Sequence, residues 1–252
     1  MIGSERRDEV LVLTIDRTER RNALNGDLCA DLGAALAAGA DARVVVITGA
    51  GSAFCAGADL VTRFGADGDG EDTFRPAFEV LLDAIAAHPV PVIAAVNGPA
   101  MGAGMQLAVA CDLRVAGPTA RFAIPGGRLG IHLSARNIWR LAHLLGQGAA
   151  RDFLLAGRSV DAEGAERIGL VQYRADDALV AALDLAAGIA ASAPLTVRGH
   201  KRALDLVAEA QWLDERARAE ITAREVEAFA SEDLREGMAA FAEKRTPRFL
   251  GR

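Results

Sequence analysis

Two uninterrupted apolar runs, Val44-Val45-Val46-Ile47-Thr48 and Val92-Ile93-Ala94-Ala95-Val96, constrain the fold of this chain more than any other feature. A strand that is apolar at successive positions has no face to offer to water. Both faces must then be covered, as in strands sandwiched between helices. Each run empties into small residues. Gly49 to Asp59 follows the first. Asn97-Gly98-Pro99-Ala100-Met101-Gly102-Ala103-Gly104 follows the second and opens a helix. A turn of that kind points free backbone N–H groups, at the positive end of a helix dipole, toward whatever approaches.

The rest of the pattern alternates in the same way. Val10 to Ile15 reads as a strand, followed by a charged loop that carries Arg17, Arg20 and Arg21. Asn25 is an N-cap for a helix predicted over 27–39, with Leu28, Leu32 and Leu36 on one face. Residues 65–70, rich in Gly and Asp, read as a mobile surface loop. A helix predicted over 74–88 is broken by Pro89-Val90-Pro91, and another is predicted over 102–110. Short strands are predicted over 113–115 and 120–123, and a helix over 135–156 with a break near Gly146. Asp161 caps a further short helix, and 170–173 reads as a late strand. Everything from 176 to 241 reads as helix. The alternation predicts an α/β fold, with the late helical tract as a packing or assembly module.

Composition excludes several function classes. The net charge of -6 argues against general nucleic-acid binding, which needs a basic face. Cys29, Cys55 and Cys111 are odd in number and form no C-x-x-C pair, as expected of a reduced, cytoplasmic chain without a disulfide framework. His88, His132, His143 and His200 are scattered, so no metal site is expected. Met1 to Asp8 is polar and has no apolar signal core, and no apolar run is long enough for a membrane span.

The residues that carry chemistry lie in the two small-residue turns, Phe54-Cys55-Ala56-Gly57-Ala58-Asp59-Leu60 and Met101-Gly102-Ala103-Gly104. With Arg21-Asn22-Ala23-Leu24-Asn25, Pro91 through Gly98, Ala110-Cys111-Asp112 and Glu243-Lys244-Arg245, they carry a resemblance to the enoyl-CoA hydratase/isomerase (crotonase) superfamily over nearly the whole chain. The resemblance implies a spiral of ββα turns over 1–190, which holds an acyl-CoA site. It implies a C-terminal helical trimerisation region over 191–252, and assembly as a homotrimer or a hexamer. Backbone N–H groups of Ala58 and Ala103 would form an oxyanion hole for a CoA thioester carbonyl, where losing one donor typically costs about 3–4 kcal/mol. Arg20, Arg21, Ala23 and Ala56 would border coenzyme A, and Lys244 and Phe249 would complete the site of a neighbouring subunit.

The departures matter as much. Hydratases of the superfamily use two glutamates, and the corresponding positions here are Gln106 and Gly126. Neither residue exchanges a proton near neutral pH. Ser134 falls where related dehalogenases carry an aspartate nucleophile, but it also reads as the N-cap of the helix from Ala135. His132, two residues away, reads as a pocket-lining or satisfied core residue. Gln106, His132 and Ser134 are therefore the candidate catalytic positions. The chain most resembles actinobacterial members that lack the hydratase glutamates. The expectation is a protein that binds fatty acyl-CoA thioesters, without a permanent cofactor and with little or no hydratase activity. The alternative is an active 2-enoyl-CoA hydratase, lyase or isomerase that uses non-standard acid/base residues.

Overall fold

The computed structural model describes residues 1–60, 72–210 and 214–250. The 65–70 loop lies outside them. A six-stranded sheet forms the centre, in the order β1-β2-β3-β4-β6-β9. Its strands are β1 (Ile2–Arg7), β2 (Val10–Ile15), β3 (Val44–Gly49), β4 (Val92–Val96), β6 (Leu113–Ala116) and β9 (Tyr173–Arg174). All pairings are parallel except β1 with β2. A smaller sheet joins β5 (Pro99–Met101), β7 (Arg121–Ala123) and β8 (Ser159–Asp161).

Side chains alternate across the large sheet, and both faces are dry. Val45 and Ile47 of β3, with Val92, Ala94 and Val96 of β4, face a core built on α1 (Gly26–Ala38), α2 (Phe74–Ala86) and α3 (Ala103–Ala110). Val44, Val46, Ile93 and Ala95 face the other way, onto α6 (Ala178–Ala190). That helix presents Ala178, Ala182, Ala186 and Ala190, small residues one turn apart that let its backbone approach the strands. Every residue of β3 and β4 is buried, as two-sided burial requires.

The predicted caps form. The Asn25 side chain accepts from Leu28 N–H at 2.9 Å, and Asp161 accepts from Gly164 N–H at 2.9 Å, starting α5 (Ala162–Arg167). Gly146 breaks α4 (Ala135–Leu155) with φ 73. The C-terminal tract comprises α7 (Pro194–Ala210), α8 (Glu215–Ala230) and α9 (Glu232–Glu243).

Three details depart from the sequence reading. The polar N-terminus is an edge strand, β1, held by its backbone pairing to β2 while most of its side chains stay exposed. A short strand, β5, separates β4 from α3 and starts the second sheet. The late strand begins at Tyr173, not Leu170: Leu170 and Val171 are buried but bond back to the Ala165 carbonyl as the exit of α5.

Candidate active site

The site forms where the two small-residue turns are zipped together. Cys55 N–H donates to the Pro99 carbonyl at 3.1 Å, and Met101 N–H donates to the Cys55 carbonyl at 2.9 Å. On the other side Leu24 N–H donates to Gly57 at 2.8 Å and Asp59 N–H to Leu24 at 2.7 Å. Residues 56–58 are thus clamped between two neighbouring segments. α3 packs so closely on this clamp that a Cβ at Gly104 would lie 2.1 Å from the Cys55 carbonyl oxygen. Gly102 turns the chain into α3 with φ 53 and ψ -109, a conformation open to glycine and strained for other residues.

Two amide groups are left over. Among the described residues, no oxygen accepts from the N–H of Ala58 or of Ala103. Ala103 is the first residue of α3, so its N–H has no intrahelical partner. Both residues line one cavity of about 120 Å³.

Buried polar side chains fix the turns. Asn22 is fully buried; its Nδ2 donates to the Ala50 carbonyl at 2.8 Å and to the Ala53 carbonyl at 2.7 Å. Asn97 Nδ2 donates to Gly49 and Gly51, each at 2.9 Å. Asp59 is buried and pairs with Arg17 Nη2 at 2.8 Å, which makes it a structural carboxylate.

The cavity also carries a group that the sequence reading missed. Glu79, on α2, lines the same cavity as the two amides. Its Oε1 accepts from Ser134 Oγ at 2.9 Å and from Asn137 Nδ2 at 2.6 Å. Burial raises its pKa above the usual carboxylate value, and the Ser134 hydrogen bond and the Arg140 charge oppose that rise. In sequence Glu79 belongs to the stripe Arg75, Glu79, Asp83, spaced by four beside the apolar stripe of the helix. Such a stripe reads as a solvated charged face. Only the packing of α2 against α4 turns it inward.

The predicted positions are placed as follows. Gln106 lines the cavity one turn into α3. Ser134 caps α4, accepting from Asn137 N–H at 3.4 Å, and its hydroxyl is spent on Glu79, not on His132. His132 lines the cavity, with Nδ1 2.6 Å from the Leu133 carbonyl oxygen; only a donor suits that contact, so Nδ1 carries a hydrogen. Gly126 stands where a side chain has no room: a Cβ there would lie 2.5 Å from the Ile131 carbonyl oxygen. Ala56 lines the cavity and donates its N–H to the Arg21 carbonyl at 3.0 Å. Arg20 and Arg21 are exposed on the loop before it, and Ala23 is half-buried. Lys244 and Phe249 are exposed at the C-terminus and do not line this cavity. Among the described residues, no group of three or more His, Cys, Asp or Glu is arranged to hold a metal ion.

A larger space of about 870 Å³ adjoins the site. The two share Ile124, Gly126, Ile131, His132 and Leu133 as walls, and the larger extends between Leu154 and Leu155 of α4 and residues of α8 and α9.

The model of the family "Enoyl-CoA hydratase/isomerase" matches residues 5–252. The chain is similar, at 41% identity over the full length of both proteins, to the protein of Mycobacterium tuberculosis named probable enoyl-CoA hydratase echA6. It is 39% identical to the 2,3-dehydroadipyl-CoA hydratase of Escherichia coli, over 98% of this chain and 97% of that protein. Among solved structures it resembles carnitinyl-CoA hydratase from Mycobacterium avium, with a TM-score of 0.85, 36% identity, and coverage of 100% of this chain and 98% of the other. With its paired turns, its layered sheet and this match over nearly all its length, the chain belongs to the enoyl-CoA hydratase/isomerase family.

Proposed function

We propose that this protein binds fatty acyl-CoA thioesters, holding the thioester carbonyl between the N–H groups of Ala58 and Ala103, and that it hydrates 2-enoyl-CoA slowly or not at all. The observation that carries the proposal is a pair of amides, partnerless among the described residues, on two residues that line one cavity. Unused donors at a helix start are suited to an oxyanion, and being backbone groups they are fixed in place before the ligand arrives. The adjoining space of about 870 Å³, walled largely by Ile, Leu, Ala and Gly, offers room for an acyl chain. The exposure of Arg20 and Arg21, whose segment holds the Ala56 N–H, supports their use as phosphate contacts.

The second half of the proposal rests on Gln106 and Gly126. Where the resemblance places two glutamates, this chain has an amide and a glycine. The glycine is not a simple truncation, because the Ile131 carbonyl occupies the space its Cβ would need. Proton transfer by a positioned group is worth about 10²–10⁴-fold per group, so hydration loses its main contribution. Leu195, Leu204, Leu206 and Val207 are exposed on α7 and support the use of the 191–252 tract as an assembly surface.

Calorimetry with a thioester ligand and its thioether analogue tests the carbonyl contact. The analogue lacks only the oxygen. Two hydrogen bonds worth about 0.5–1.5 kcal/mol each predict thioether binding weaker by roughly 5–150-fold. Equal affinities would show that the amides do not hold the carbonyl.

A further inference from the structure

We propose that Glu79 is the proton-transfer group of this pocket, acting as a base at the α-carbon of the bound acyl-CoA. This rests on the carbonyl being held by Ala58 and Ala103. Glu79 and both amides line the same small cavity. A proton leaving the α-carbon puts negative charge on the thioester oxygen, where two N–H donors wait. The base must reach that carbon, and α2 supplies the Glu79 side chain to the same cavity.

The carboxyl is positioned and still available. Oε1 holds the Ser134 hydroxyl and the Asn137 amide. Among the described residues, Oε2 takes no hydrogen bond and Glu79 makes no ion pair. The neighbouring charges are committed elsewhere. Arg140 donates to Asn137 Oδ1 at 2.9 Å and pairs with Asp83. Glu225, from α8, is buried on the same cavity but takes Arg75 Nη1 at 3.0 Å. Among the described residues, Glu79 is therefore a cavity carboxylate with an oxygen that takes no hydrogen bond and with neutral hydrogen-bond partners. Burial favours its uncharged form and so raises its basicity above that of an ordinary carboxylate.

The step balances without a co-reactant. The Cα–H bond breaks, and its proton goes to Glu79 Oε2. The electron pair moves into the C–C bond of an enolate whose oxygen sits on the two amides. The carboxylic acid exchanges its proton with water and returns one to the α-carbon. With a 3-enoyl-CoA the electron pair extends over the dienolate, and return of the proton at the γ-carbon gives the conjugated 2-enoyl-CoA. No water is added to carbon in either case, so the reaction class is proton transfer, not hydration.

The test is deuterium incorporation at the α-carbon of 3-hexenoyl-CoA in heavy water, read by mass spectrometry, with binding measured by calorimetry on the same preparation. Wild-type protein should exchange the α-hydrogen well above the solution rate. Glu79→Gln should lose about 10²–10⁴-fold of that rate, with the dissociation constant within roughly threefold. Ser134→Ala supplies an independent readout. Removing a hydrogen bond that favours the carboxylate moves the rise of rate with pH to higher pH, without abolishing the rate. Binding without exchange, exchange unchanged in Glu79→Gln, or a pH profile unmoved in Ser134→Ala would each overturn the assignment of Glu79. Absence of binding would instead overturn the carbonyl-holding reading, and the assignment with it.

Discussion

At the scale of single residues, the site is a contrast between groups that have spent their hydrogen bonds and groups that have not. Asn22, Asn97 and Asp59 are fully engaged in fixing turns. The Ala58 and Ala103 amides are left open. Such an arrangement keeps a polar carboxyl in a place where stability alone would favour a neutral side chain. For Glu79 the sign follows from its raised pKa. The folded state holds the proton more tightly than the unfolded chain. Its stabilising contribution is fully present below the unfolded value, about 4.3, and is lost as pH rises through the folded value. Glu79→Gln, which keeps the same shape, should therefore stabilise the protein at neutral pH and leave it unchanged near pH 4. Denaturant midpoints at the two pH values check this, and equal shifts at both would contradict it. The two small-residue turns were legible in the sequence because their glycines and alanines answer local backbone needs. Glu79 was not, because its role depends on α4, which begins more than fifty residues later.

At the scale of elements, the proposed use of the first N–H of α3 as a carbonyl donor requires that helix to be held rigidly. Arg114 of β6 does this from beneath. Its guanidinium is almost wholly buried and reaches the carbonyls at the far end of the helix: Ala108 at 3.0 Å and Cys111 at 2.7 Å. It also holds the Leu170 carbonyl at 2.6 Å and Gln172 Oε1 at 3.0 Å, so one cation ties α3 to the exit of α5. A positive charge at a helix C-terminus is favourable. Arg114→Met fills similar volume but strands those carbonyls. It should cost about 3–5 kcal/mol of unfolding free energy. A loss under 1 kcal/mol in a urea titration would show that water replaces the guanidinium. The elements themselves were largely readable: α1 with its Asn25 cap, the β3 and β4 runs, and α4 with its Gly146 break all answer to local signals. β1 and β8 were not, because an exposed edge strand and a three-residue strand are set by their partners, not by their own periodicity.

At the scale of the whole molecule, the two faces of the sheet do different work. One is sealed by α6 with a ladder of alanines. The other supports α1, α2 and α3 and delivers the turns and Glu79 to one cavity. The layered α/β plan followed from two doubly apolar strands, whereas the spiral arrangement came only from the family resemblance. The closeness of the carboxylate wall to the amide wall appears only once the chain is folded. We propose above that this pocket grips a thioester carbonyl and adds water across the double bond slowly or not at all. The most direct test of that proposal is a paired assay on one preparation: calorimetric binding of a C4-to-C20 acyl-CoA series beside absorbance-followed hydration of the matching 2-enoyl-CoAs, with a hydratase of the family as reference. The expected result is saturable binding with hydration below the reference by at least about 10²–10⁴-fold. Hydration at the reference rate would mean that Glu79, Gln106 or His132 activates water after all, and would contradict it.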